Sequence, residues 1–140
     1  MQDDAFRSRL QATIAALRYW VPAVSDAARV EERDADGSWQ LAVRPLFKSA
    51  CPFTLTLSSN HTWGLAINGV TYSGQPIESL DMFQPMVEAI SEGRVVHRRW
   101  QSANTGLETR IETIVDLGDG QVWVGEHTPT DRSRTRMARW

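Results

Sequence analysis

The stretch Phe53-Thr54-Leu55-Thr56-Leu57-Ser58-Ser59-Asn60-His61-Thr62-Trp63-Gly64-Leu65-Ala66-Ile67-Asn68-Gly69-Val70-Thr71-Tyr72 decides the fold class. Apolar residues take every second position, first Phe53, Leu55 and Leu57, then Trp63, Leu65 and Ile67. That is the period of half-buried strands. Both sets share one face only if the connection has odd length. Ser59-Asn60-His61 supplies three residues, with Asn60 or His61 suited to the left-handed position. His61 is therefore read as a turn residue rather than a catalytic one. Asn68-Gly69 tolerates positive φ at both positions of a type I′ turn, pairing Ile67 with Val70 and Leu65 with Tyr72.

Upstream, Asp34-Ala35-Asp36-Gly37 separates two more alternating runs. If the whole tetrad is loop, Val30 faces Leu41 and Ala28 faces Val43; if only Asp36-Gly37 is loop, Val30 faces Val43. Both registers keep the apolar residues on one face, so the hairpin stands either way. Before it, Phe6, Leu10, Ile14 and Leu17 form a helical stripe behind Asp3 and Asp4, and Pro22 is expected to end it. Arg7, Arg9, Gln11 and Arg18 fall off the stripe toward water. The first half thus reads as an amphipathic helix followed by an antiparallel meander of about five strands.

Downstream, Ser79 is a plausible N-cap for a helix whose stripe is Leu80, Phe83, Val87 and Ile90, closed by Gly93. Pro85 inside it predicts a kink or two short helices, with Pro85 opening the second. Met82, Phe83 and Met86 could make an adaptable surface, but core packing is the preferred use. Three strands follow, over Arg94–Ser102, Leu107–Leu117 and Gln121–Glu126. The Asp119-Gly120 turn is expected to pair Leu117 with Val122 and Val115 with Val124. Across Ser102–Gly106 the expected register pairs Trp100 with Leu107 and Val96 with Ile111, opposing Arg99 to Glu108. The fold class is α+β: one curved sheet packed against the helices, forming a single domain over 1–128. Residues 129–140 read as a basic, flexible C-terminal tail.

The chain has 140 residues, a net charge of −2 and one cysteine. It can bury a sizeable core, and its balanced charge gives no global attraction to nucleic acid or anionic membranes. A single cysteine excludes an intramolecular disulfide framework and a cysteine-rich zinc site. No run approaches the roughly 18 apolar residues of a membrane span, and the acidic start is unlike a signal peptide, so a cytoplasmic location is expected. Every basic residue but Lys48 is arginine. Arginine could signal anion recognition, but compositional bias is the preferred account. Of the six tryptophans, Trp39, Trp63, Trp100 and Trp123 fall on predicted strands, and at least three of the six are expected in the core.

No phosphate-binding, dinucleotide-binding, nucleophile-elbow or zinc-protease motif is present. His61, His97 and His127 lie in different elements without ligand spacing, so no metal and no cofactor is expected. Cys51 would be a nucleophile if His97 or His127 came near; otherwise it is a small buried hydrophobe. In the expected register Arg98 lands on the apolar face. There it must pair, reach the rim, or await an anionic ligand in a pocket walled by Trp100, Trp63 and Tyr72. In the tail, Arg132, Arg134, Arg136, Arg139 and Trp140 combine positive charge with a stacking surface, a minimal nucleic-acid or acidic-partner contact.

Three functional expectations follow. The favoured one is a non-enzymatic binding or adaptor domain acting through a protein partner or its own copy. The second is a small anionic-ligand-binding protein or enzyme with a pocket around Arg98. The third is nucleic-acid contact through the arginine-rich tail.

Overall fold

A computed structural model describes residues 2–24, 28–35, 37–46, 51–67, 69–128 and 133–139. Helix α1 (Gln2–Val24) opens the chain, with Leu10, Ile14, Leu17 and Trp20 buried along one face and Phe6 packed beside them. Pro22 does not end it; the helix continues to Val24 with Pro22 exposed in its last turn. Five antiparallel strands follow in sequence order: β1 (Ala28–Ala35), β2 (Ser38–Pro45), β3 (Phe53–Ser58), β4 (Thr62–Ile67) and β5 (Val70–Pro76).

The registers of this first sheet obey the turn chemistry. Val30 faces Val43, which selects the two-residue loop at positions 36–37. Leu55 faces Leu65, and the three-residue loop places His61 in the left-handed region at φ +67°. Ile67 faces Val70, and Leu65 faces Tyr72. Leu41, Val43, Leu55, Leu57, Leu65 and Ile67 are all buried on one face, as period two requires.

Ser79 caps the next segment, its hydroxyl accepting from the Asp81 amide at 3.3 Å. A 3-10 turn (Leu80–Met82) runs directly into helix α2 (Phe83–Ser91). The change of helix type comes two residues before Pro85. Pro85 itself sits in the first α turn, where the missing N–H has no intrahelical partner to lose. Phe83, Met86, Val87 and Ile90 are fully buried, so the methionine and phenylalanine here are core.

The last third departs from the expected single sheet. Strands β6 (Val95–Gln101), β7 (Glu108–Gly118), β8 (Gln121–His127) and β9 (Ser133–Arg139) form a separate four-stranded antiparallel sheet. The fourth strand lies in the stretch expected to be a flexible tail. It has little apolar alternation of its own and is held by pairing with β8, Trp123 opposite Met137 and Gly125 opposite Thr135.

Two registers also differ from expectation. β6 pairs Val96 with Ile114 and Trp100 with Arg110, with a bulge at Trp100/Gln101. β7 pairs Val115 with Trp123 and Ile114 with Val124, with a bulge between Asp116 and Gly118. Each bulge adds one unpaired residue, and an odd shift turns every side chain of a strand to the opposite face. The second bulge is fixed locally: Asp116 Oδ1 accepts from the Gly118 amide at 2.9 Å.

The inner faces of the two sheets, with α1 and α2, enclose one core that joins Leu55, Leu65, Trp63 and Tyr72 to Ile111, Val115 and Trp123. Ile114, Val122 and Val124 lie on the other face of the second sheet in a small cluster with Ala138. Val124 is therefore not on the same covered side as Leu55 and Leu65.

Candidate functional site

The register of β6 disperses the candidates grouped around Arg98. Arg98 stands opposite Glu112 on the outer face, 3.8 Å from its carboxylate, with a 58% exposed side chain. Trp63 and Tyr72 lie on the inner side and are buried, so the second sheet separates them from Arg98. Trp100 is half-buried beneath the Arg110 guanidinium, whose carbon stands 3.8 Å from the ring centroid, a cation–π stack. The expected pocket does not form. Of the tail residues, Arg134 and Arg139 occupy β9 opposite Glu126 and Gln121, and Arg136 is exposed in the same strand. Arg132 and Trp140 lie outside the described residues.

Three other arrangements are present. The first is a cleft of about 750 Å³ between the ends of the two sheets, within the usual range for ligand sites. Trp63 and Trp123 make its floor, meeting edge to face at 5.6 Å, with Phe83 behind Trp63 at 5.4 Å. Met82, Leu117 and Met137 contribute walls, and Met137 is 44% exposed. Leu117 reaches the cleft because it is the extra residue of the β7 bulge. Among the described side chains, the rim carries Glu78, Asp81 and Asp119 against one cation, Arg136. A Thr135 Oγ1–H bond to Gln75 Oε1, 3.2 Å, ties β9 to β5 beside it.

The second is a trough of about 580 Å³ on the outer face of the first sheet, floored by small residues such as Ala42, Thr54 and Ala66. Arg29 and Arg44 border it directly opposite one another, with Glu31 two positions along β1 on the same face, and neither arginine makes an ion pair with a described residue. Like charges facing across a strand pair are destabilising.

The third is a hydrogen-bonded series through the interior. Cys51 Sγ lies 3.7 Å from His97 Nε2, and His97 Nδ1 lies 3.3 Å from Thr113 Oγ1. Thr113 Oγ1 is 3.0 Å from the Tyr72 hydroxyl, which donates to the Gly125 carbonyl at 3.2 Å. Burial pushes the Cys51 thiol above its ordinary 9.0. Burial, and secondarily the Arg99 guanidinium, hold His97 below 6.5. At neutral pH the pair is therefore thiol and neutral imidazole. The approach of His97 to Cys51 meets the condition read from the sequence, whereas Thr113 and Gly125 were not legible as partners. Gly125 alone left a trace, since a lone glycine inside a strand marks close approach by another group.

Among the described residues no three His, Cys, Asp or Glu side chains are grouped to hold a metal ion. No helix among them is long and apolar enough to cross a membrane. In comparison with known proteins, the chain matches no family model, no curated protein and no solved structure.

Proposed function

We propose that the chain is a non-enzymatic binding module that takes up a segment of a protein partner in the cleft between the two sheets. The observation that carries this reading is the pairing of an apolar floor and walls, Trp63, Trp123, Met82 and Met137, with the acidic rim of Glu78, Asp81 and Asp119. Methionine walls adapt to varied apolar side chains, and the rim charge selects a cationic neighbour. The fitting occupant is an apolar side chain flanked by arginine or lysine. A second reading is favoured by Arg29 and Arg44, which face one another and make no ion pair among the described residues: a small oxyanion would relieve their repulsion, moving the anion-binding expectation from Arg98 to the first sheet.

A capped peptide with leucine between arginines, its glutamate-flanked counterpart and inorganic phosphate are titrated separately in heteronuclear NMR. The arginine peptide is expected to shift the Trp123 indole and the Met82 and Met137 methyls. Reversing charge with Asp81→Lys and Asp119→Lys should weaken it about tenfold at low salt. Shifts confined to Arg29 and Arg44 with phosphate alone would transfer the assignment to the trough. No shift at the cleft with millimolar peptide would end the first reading.

A further inference from the structure

Cys51 and His97 come from parts of the chain 46 residues apart, Cys51 just ahead of β3 and His97 in the middle of β6. Both residues are half-buried, and His97 is held from its interior side by Thr113. The direction of each hydrogen bond behind His97 is fixed from the far end. A carbonyl oxygen only accepts, so the Tyr72 hydroxyl proton is committed to Gly125. Thr113 must then donate to Tyr72, and its oxygen must accept from His97 Nδ1–H. Nε2 is left as a bare acceptor facing Cys51 Sγ at 3.7 Å. An imidazole with one nitrogen oriented by a neighbour and the other free toward a thiol is the arrangement of a general base serving a nucleophile.

We infer that Cys51 is a thiol-modification site with His97 as its general base, and that the co-reactant it takes is a low-molecular-weight disulfide. In the step, Nε2 takes the Sγ–H proton as Sγ bonds to one sulfur of the disulfide. The S–S bond breaks, its electron pair leaves on the second sulfur, and that sulfur takes the proton from Nε2. Cys51 is oxidised to a mixed disulfide while the co-reactant is reduced, releasing one thiol. Exchange at sulfur asks for a proton acceptor beside the thiol, which His97 Nε2 supplies. The chain has no second cysteine to resolve the adduct internally, so the mixed disulfide persists until an external thiol removes it.

The charged and titratable groups around His97 set the pH dependence. Arg99 lies two positions along β6 and is held by Glu108 of β7. Cys51 approaches from the segment before β3, and Tyr72 of β5 acts through Thr113 of β7. With His97 titrating below 6.5 and the thiol above 9.0, the assisted reaction operates across the neutral range, where solvent ionisation alone leaves little thiolate.

The test is the rate of mixed-disulfide formation with 4,4′-dithiodipyridine across pH, with intact mass confirming one adduct per chain. The wild-type profile should show two inflections, one below pH 6.5 and one above pH 9. His97→Gln should lower the neutral rate at least about tenfold and converge with wild type once the thiol is ionised. Thr113→Val, which keeps the shape and removes the acceptor for Nδ1, should also slow the neutral reaction, and Thr113→Ser should restore it. Neutral rates within twofold between wild type and His97→Gln would overturn the inference. Should His97→Gln fail to fold, equal rates for Thr113→Val and Thr113→Ser would do the same.

Discussion

At Gly125 an added Cβ would stand 2.7 Å from Trp123 Cη2 and 2.8 Å from Tyr72 Cε1 and Cζ. The Tyr72 ring therefore lies against β8 where a side chain would otherwise be, with its hydroxyl on the Gly125 carbonyl. Gly125→Ala must push both rings aside, and overpacking of this kind costs about 1–3 kcal/mol. The expected outcome is a lower urea midpoint with an unchanged slope; a change under about 0.5 kcal/mol would mean that Tyr72 does not occupy this place. His61 was legible in the sequence because loop parity alone assigned it to a turn. The destination of Tyr72 was not: alternation and the Asn68-Gly69 turn set its own strand pairing, but nothing in that pairing says which residues of another sheet its hydroxyl meets. Arg98 lies outside for a related reason: an odd shift in β6 puts His97, not Arg98, on the inner face.

Strand β1 is an edge of the first sheet, and it carries an inward acid, Glu32, where alternation would place an apolar residue. Glu32 Oε1 accepts from Trp39 Nε1 at 2.7 Å and from Arg18 Nε of α1 at 2.5 Å. Inward charge on an edge strand discourages pairing with another chain, and here it also ties the helix to the sheet. Burial pushes the Glu32 carboxyl up, but the bonds from Trp39 and Arg18 and the Arg18 charge outweigh it and hold the group below 4.5. A carboxyl lowered in the fold stabilises it above the unfolded value, and that contribution is lost as pH falls through the folded one. Glu32→Gln should therefore cost about 0.5 kcal/mol at pH 6, as expected for a partly exposed pair, with the deficit fading as pH drops below 4.5. A deficit that does not change with pH would show that the charge plays no part.

The meander of the first sheet was readable element by element because each connection announces its own length. In the second sheet Ile114-Val115 and Val122-Trp123-Val124 are apolar on both faces, so alternation cannot fix a register; the β7 bulge moves the β7–β8 pairing by one residue, and β6 lies three residues along β7 from the expected register, one of them from its own bulge. Strand β9 was hidden because Ser133–Arg139 is mostly basic and polar, and becomes a strand by pairing along β8.

Over the whole molecule, two sheets, not one, share a core. The cleft is a consequence: β5 and β9 meet through Gln75 and Thr135, and the bulged end of β7 leaves a gap floored by Trp63 and Trp123. The Cys51–His97 pair is a consequence as well, because it needs β6 to present His97 toward the first sheet. Both depend on the register that carries Thr113 and Gly125 to Tyr72 and leaves Arg98 outside. A methyl- and aromatic-resolved NOESY spectrum reads that register directly. The expected contacts run from the Tyr72 ring to the Gly125 α protons and the Thr113 methyl, with none to Arg98. Contacts from Tyr72 to Arg98, with Trp100 opposite Leu107, would contradict it.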